Sequence, residues 1–106
     1  MKQRNQSKKM KQGNKRKVIN LIEVVYHHAG DHYFLREATI NPNHIVSMNP
    51  SEEHILLHTQ NKLPTGLHDA QEFVKISFSN GKSIVAIGSA QIINEKIRTA
   101  KKLLLG

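Results

Sequence analysis

The chain has 106 residues and no cysteine, and its 16 basic and 8 acidic residues give it a formal net charge of +8. A chain of this length holds at most one small domain. The lack of cysteine excludes disulfides, thiolate nucleophiles and cysteine-ligated zinc. No apolar run reaches the about 20 residues that a membrane-spanning helix requires, so we expect a cytoplasmic protein with no membrane partner.

Residues 1–17 predict a disordered basic arm. This segment contains no acidic residue, whereas residues 18–106 carry equal numbers of basic and acidic side chains. The whole positive excess therefore belongs to the arm, whose cations are Lys2, Arg4, Lys8, Lys9, Lys11, Lys15, Arg16 and Lys17. A segment this polar buries too little apolar surface to offset the conformational entropy that it would lose on folding. We expect one folded domain at residues 18–106.

The first half of that domain predicts three strands. Residues 18–28, VINLIEVVYHH, are rich in β-branched residues and apolar on both faces, which favours an interior strand. A turn signal at residues 29–31 precedes a return strand at 32–40, and a short third strand follows at 44–48. The next segment, residues 51–71, is compatible either with a helix capped by a serine or with a short strand and a loop.

The stretch EFVKISFSNGKSIVAIG alternates strictly around Asn80-Gly81, the preferred pair for a two-residue type I′ hairpin turn. Such a turn would pair Ile76 with Val85 and Val74 with Ile87. It would also place five apolar side chains on one core face: Val74, Ile76, Phe78, Val85 and Ile87.

Residues 89–105 predict a C-terminal α-helix capped by Ser89. Its apolar side chains recur at helical spacing, at Ile93, Ile97, Ala100 and Leu104. The expected fold class is thus α+β. A small, mostly antiparallel β-sheet of about five to six short strands is packed by one C-terminal helix and preceded by the disordered basic arm.

Histidines suggest two candidate metal sites, both weak. His27, His28 and His32 surround one turn with Asp31, yet exposed polar residues at the end of a hairpin are the simpler interpretation. His54 and His58 have the spacing of the HExxH motif, but an isoleucine replaces its catalytic glutamate. Because no nucleophile elbow, phosphate loop or dinucleotide motif occurs, we expect no enzyme activity, no cofactor and no metal.

The arm predicts nucleic-acid binding. Its eight cations would contact the phosphates of DNA or RNA without reading sequence, so specific contacts would have to come from the β-domain. Tyr26, Tyr33 and Phe34 are the domain's candidates, although aromatic residues on strands more often belong to the core or the sheet surface. An acidic protein surface is the other partner that the arm would fit, and self-association into a homo-oligomer is compatible with the sequence.

An alternative without nucleic acid is a protein-binding module, or a phage-type inhibitor of a host or defence protein. Such a protein would act through an exposed sheet edge or through residues 51–71.

The order LIEVVY, INPNHIVSM, FVKISFSNGKSIVAI and SAQIINEKI resembles a family of small domains typified by the flagellar FlbD-type proteins and similar short phage and bacterial sequences. The resemblance covers about residues 18–98 and rests on turns, caps and alternation. It implies a small, non-enzymatic accessory or interaction module and carries no catalytic residue to any position.

Overall fold

The structure, a computed structural model, describes residues 18–105, with side chains to residue 100. The predicted arm at residues 1–17 lies outside this range. The described elements, in chain order, are β1 (Ile19–His27), β2 (His32–Ile40), a 3₁₀ turn (Pro42–His44), β3 (Ile45–Pro50), α1 (Glu52–Thr59), β4 (Phe73–Phe78), β5 (Ser83–Ile87) and α2 (Ala90–Leu105).

The strands form one antiparallel sheet in the order β2-β1-β5-β4-β3. This confirms the predicted α+β class, with its antiparallel sheet and C-terminal helix. Strand β1 lies inside the sheet between β2 and β5, as its two apolar faces predicted. The edges are β2 and β3.

Helix α2 covers one surface of the sheet, which we call the helix face. The helix begins where predicted, because the Ser89 hydroxyl accepts a hydrogen bond from the Ile92 N–H at 3.1 Å. Its Ile93 and Ala100 are buried, and Ile97 packs beside them, while the side chain of Leu104 lies outside the described residues. The sheet residues buried beneath the helix are Ile19, Leu21, Ile40, Val74, Ile76 and Ala86.

The opposite surface, the loop face, is covered by α1 and residues 60–72. The open question at residues 51–71 is thus answered by a helix followed by a loop. Val24, Leu63 and Phe73 form the buried centre of this second cluster. The residues packed around them include Tyr33, Leu35, Leu57, Leu67, Val85 and Ile87.

The predicted turn between β4 and β5 is wrong by one residue. Ile76 pairs with Ile84 and Phe73 with Ile87, and the Phe78 N–H donates to Lys82 O at 2.8 Å. The loop therefore has three residues and ends at Gly81, whose φ is 87°, the geometry of a type I turn followed by a left-handed residue.

That one-residue difference moves side chains to the other face. Val85 and Ile87 lie on the loop face and not beside Val74 and Ile76, because strand side chains alternate with a period of two. Both faces of the sheet consequently receive apolar residues from this hairpin.

None of the helices in the described range is long and apolar enough to cross a membrane.

Candidate nucleic-acid interface

The hairpin of β1 and β2 extends beyond the rest of the sheet. Strand β1 pairs with β2 over its whole length, but with β5 only at Glu23 and Val24. We call residues 25–34 the hairpin end, and neither of its two strand segments pairs with β5. The four-residue turn at its tip is closed by a hydrogen bond from the Asp31 N–H to His28 O, at 3.3 Å.

Six rings are concentrated at the hairpin end, and the strand period divides them between two faces. His27, His32 and Phe34 lie on the helix face, with the two imidazole centroids 5.1 Å apart and the Phe34 ring within 6.4 Å of each. Tyr26 and Tyr33 lie on the loop face with their centroids 5.0 Å apart. The His28 and Tyr26 rings are nearly perpendicular, with their centroids 4.7 Å apart.

Gly30 allows the imidazoles of the helix face to pack closely. Its backbone N–H donates to His27 Nδ1 at 3.0 Å. A Cβ atom on Gly30 would lie 2.6 Å from His32 Cε1 and Nδ1, and 3.0 Å from His27 Nδ1. A residue with a Cβ atom at this position would therefore displace the His32 ring.

This arrangement does not favour a metal at the three histidines singled out in the sequence. A neutral imidazole has one lone pair, and His27 uses its lone pair to accept the Gly30 N–H. His28 lies against Tyr26, apart from the His27–His32 pair. Among residues 18–105, no group of three or more His, Asp or Glu side chains is arranged to hold an ion.

Arg36 provides the cation nearest in sequence to the rings of the helix face. It pairs with Glu23 across the two strands, and its Nε donates to Glu23 Oε1 at 3.2 Å. The Glu23 side chain is only 12% exposed, whereas that of Arg36 is 58% exposed. The carboxylate is therefore neutralised beneath the guanidinium, which faces solvent.

The loop face of the hairpin end borders a cleft of about 500 Å³ against α1. Its lining consists of Tyr26, Asp31, Tyr33, Leu57, Lys62 and also His32, the first residue of β2. The Tyr26 hydroxyl donates to the Asp31 carboxylate, and this hydrogen bond is the main cause that raises the pKa of the Tyr26 phenol. One carboxylate and one ammonium group leave this cleft without an excess of either charge.

The other histidine pair has a structural role. His54 and His58 lie one turn apart on α1, and each ring centroid is 6.0 Å from that of Phe73. Ser51 Oγ is hydrogen bonded to His54 Nδ1, and His58 Nε2 donates to His68 O, both at 2.8 Å. Burial lowers the pKa of His54, an effect that the neighbouring Glu53 partly opposes.

The eight cations of the arm lie outside the described residues, so their contacts stay a prediction. The aromatic candidates of the domain occupy both faces of the hairpin end. His27, His32 and Arg36 were not expected to accompany Phe34. The alternation in HYFLREATI contains that signal, since positions 32, 34 and 36 of one strand share a face.

No protein-family model, curated protein or solved structure matches the chain. The resemblance to the FlbD-type domains accordingly stays a prediction.

Proposed function

We propose that this protein is a small, non-catalytic regulatory protein that binds nucleic acid. The arm at residues 1–17 supplies electrostatic attraction to phosphates, and the β-domain supplies the more specific contacts. The observation that carries this proposal is the distribution of charge, since the entire net charge of +8 falls within the first 17 residues.

The hairpin end supports a model in which the arm contacts phosphates and the domain contacts bases. The arm has no aromatic residue, and a purely cationic segment contacts phosphates without distinguishing bases. Rings that lie outside the two core clusters offer the base contacts that the arm lacks.

The proposal is tested by charge removal in the full chain. One variant replaces Lys8, Lys9, Lys11 and Lys15 with glutamine. Its control replaces a matched set of exposed domain lysines, Lys62, Lys75, Lys82 and Lys96. Both variants lose the same net charge, and binding of labelled DNA and RNA oligonucleotides is measured by anisotropy over a salt series.

We expect the arm variant to bind more weakly and to show a much shallower salt dependence. Each lost phosphate contact lowers the slope of log K against log salt by about 0.7 for a single strand, hence by about 3 for four contacts. The domain variant should retain most of the slope. Equal slopes for the two variants, or no binding by the unmodified chain at low salt, would reject the proposal.

A second candidate is a protein-binding module, and the exposed apolar side chains of α1 favour it. Ile55 and Leu56 are 40% and 56% exposed on the helix side that faces away from the core, and Glu52 and Glu53 flank them. This candidate predicts no nucleic-acid binding even at low salt. It also predicts that Ile55→Ser with Leu56→Ser abolishes association with a purified partner without lowering the melting temperature.

A further inference from the structure

The helix face of the hairpin end carries four side chains that we call the ring strip: His27, His32, Phe34 and Arg36. They occupy alternate positions of β2 and the paired position of β1. None of them belongs to either core cluster, although Phe34 is a half-buried aromatic residue. Helix α2 packs farther along the same face, over Ile19 and Leu21.

The strip presents donors and a flat ring together. Because the Gly30 N–H occupies His27 Nδ1, the neutral His27 imidazole carries its proton on Nε2, which is left to donate to a ligand. Among the described residues Arg36 engages a carboxylate only through Nε. Its two terminal amino groups make no hydrogen bond to a carboxylate there.

The strip suits a phosphate through its hydrogen-bond donors and not through net charge, because Arg36 and Glu23 balance each other. Its one carboxylate neighbour, Glu23, is nearly buried and already bonded to Arg36. A phosphate approaching the strip meets a guanidinium and an imidazole N–H with no opposing exposed carboxylate on these alternate positions.

From these contacts we propose that the ring strip binds single-stranded nucleic acid. An unstacked base lies on Phe34 beside the two imidazoles, and the adjoining phosphates accept hydrogen bonds from Arg36 and His27. A single strand fits because its base faces are accessible to an aromatic ring, whereas a duplex hides them in its stack. This inference rests on the proposed function and adds to it the location and strandedness of the specific contacts.

The test measures the affinity of the full chain for labelled oligothymidylate, oligouridylate and mixed-sequence duplex DNA. Phe34→Leu removes the aromatic face and retains apolar packing, while Phe34→Tyr retains the face. Lys62→Gln is the charge control for Arg36→Gln, because it removes a cation on the other side of the hairpin. Circular dichroism of each variant verifies that the sheet is intact.

We expect Phe34→Leu to weaken single-strand binding about tenfold, the usual effect of losing one base-stacking ring, with an unchanged salt slope. Phe34→Tyr and Lys62→Gln should bind like the unmodified chain. Arg36→Gln should lower the salt slope by about 0.7. Gly30→Ala, which displaces His32 without changing a strip residue, should weaken binding as well.

The outcomes separate the two proposals. If the unmodified chain binds nucleic acid through the arm but Phe34→Leu binds equally well, the ring strip is rejected and the proposed function stands. Equal weakening of single-strand and duplex binding by Phe34→Leu would also overturn the inference. Absence of any nucleic-acid binding by the unmodified chain would reject the proposed function and, with it, the strip.

Discussion

Single residues in this protein take their roles from one or two close neighbours. His27 and His54 are both histidines hydrogen bonded through Nδ1, to a backbone N–H in one case and to a serine hydroxyl in the other. His27 is exposed at the hairpin end, whereas His54 packs between Tyr33 and Phe73. The first is therefore available to a ligand and the second contributes to stability.

His54 should make the stability of the fold depend on pH. Burial lowers its pKa in the folded state below the ordinary value of 6.5, so below pH 6.5 the unfolded chain binds more protons than the folded chain does. The free energy of unfolding should be greatest above pH 6.5 and should fall as the pH drops through the lowered pKa. Urea unfolding of the unmodified chain and of His54→Gln at several pH values measures this effect.

His54→Gln should show a weaker pH dependence than the unmodified chain. His44→Gln is the control, because His44 is exposed and lies on the 3₁₀ turn away from α1. If His54→Gln retained the full pH dependence, the stated role of His54 would be wrong.

Gly81 should be costly to replace, because its φ of 87° closes the three-residue loop between β4 and β5. An L-residue with a side chain pays about 1–2 kcal/mol in this left-handed region. Gly81→Ala should lower the free energy of unfolding by about that amount, and Gly81→Asn by less, since asparagine tolerates the region better. Equal losses for the two variants in urea unfolding would contradict the stated cause.

At the scale of elements, the two edges of the sheet are used differently. Strand β3 contains an irregularity between Ile45 and Ser47, where Val46 is left 67% exposed. A bulge of this kind interrupts the edge and discourages pairing with another strand. Strand β2 pairs regularly along its whole length and carries three of the four residues of the ring strip.

Helix α2 contacts the sheet through one side only. Two neighbouring isoleucines, one buried and one exposed, distinguish the stability contributed by that side from the stability contributed by the solvent side. Ile93 is fully buried above the sheet, whereas Ile92 is 56% exposed. Ile93→Ala should lower the free energy of unfolding by about 2–5 kcal/mol, and Ile92→Ala by no more than about 0.5 kcal/mol. Chemical denaturation of the two variants provides the comparison, and similar losses would show that α2 packs in another orientation.

At the scale of the whole molecule, two apolar clusters share one sheet. Strand β4 contributes Phe73 to the loop face and Val74 and Ile76 to the helix face, so the clusters are separated by the thickness of one strand. A destabilising substitution in either cluster should therefore unfold both clusters, since both pack on the same sheet.

We expect Phe73→Ala, which removes a side chain that is 1% exposed, to cost about 3–5 kcal/mol. The loss should appear equally in tyrosine fluorescence, which reports the hairpin end, and in helical circular dichroism, which is dominated by α2. Val46→Ala, on the exposed edge, is the control and should change neither. Separate transitions for the two signals would mean that the clusters unfold independently.

Much of this protein is determined by its sequence alone. Alternation predicted the strands, β-branched residues on both faces predicted the interior position of β1, and Ser89 predicted the start of α2. These are local properties, because side-chain period and capping depend on residues close together in the chain. The concentration of positive charge at residues 1–17 is likewise read from the sequence without any structure.

Tertiary structure decided what depends on distant neighbours. The residues around Asn80-Gly81 are compatible with loops of two or three residues. The longer loop lets Val85 and Ile87 join Phe73 beneath α1, with Val74, Ile76 and Ala86 beneath α2. The ring strip arose in the same way: His27 meets His32 only through strand register, and the strip is exposed because α2 packs farther along the same face, over Ile19 and Leu21. Neither distance along the chain nor residue type determines those two facts, because both follow from packing between elements.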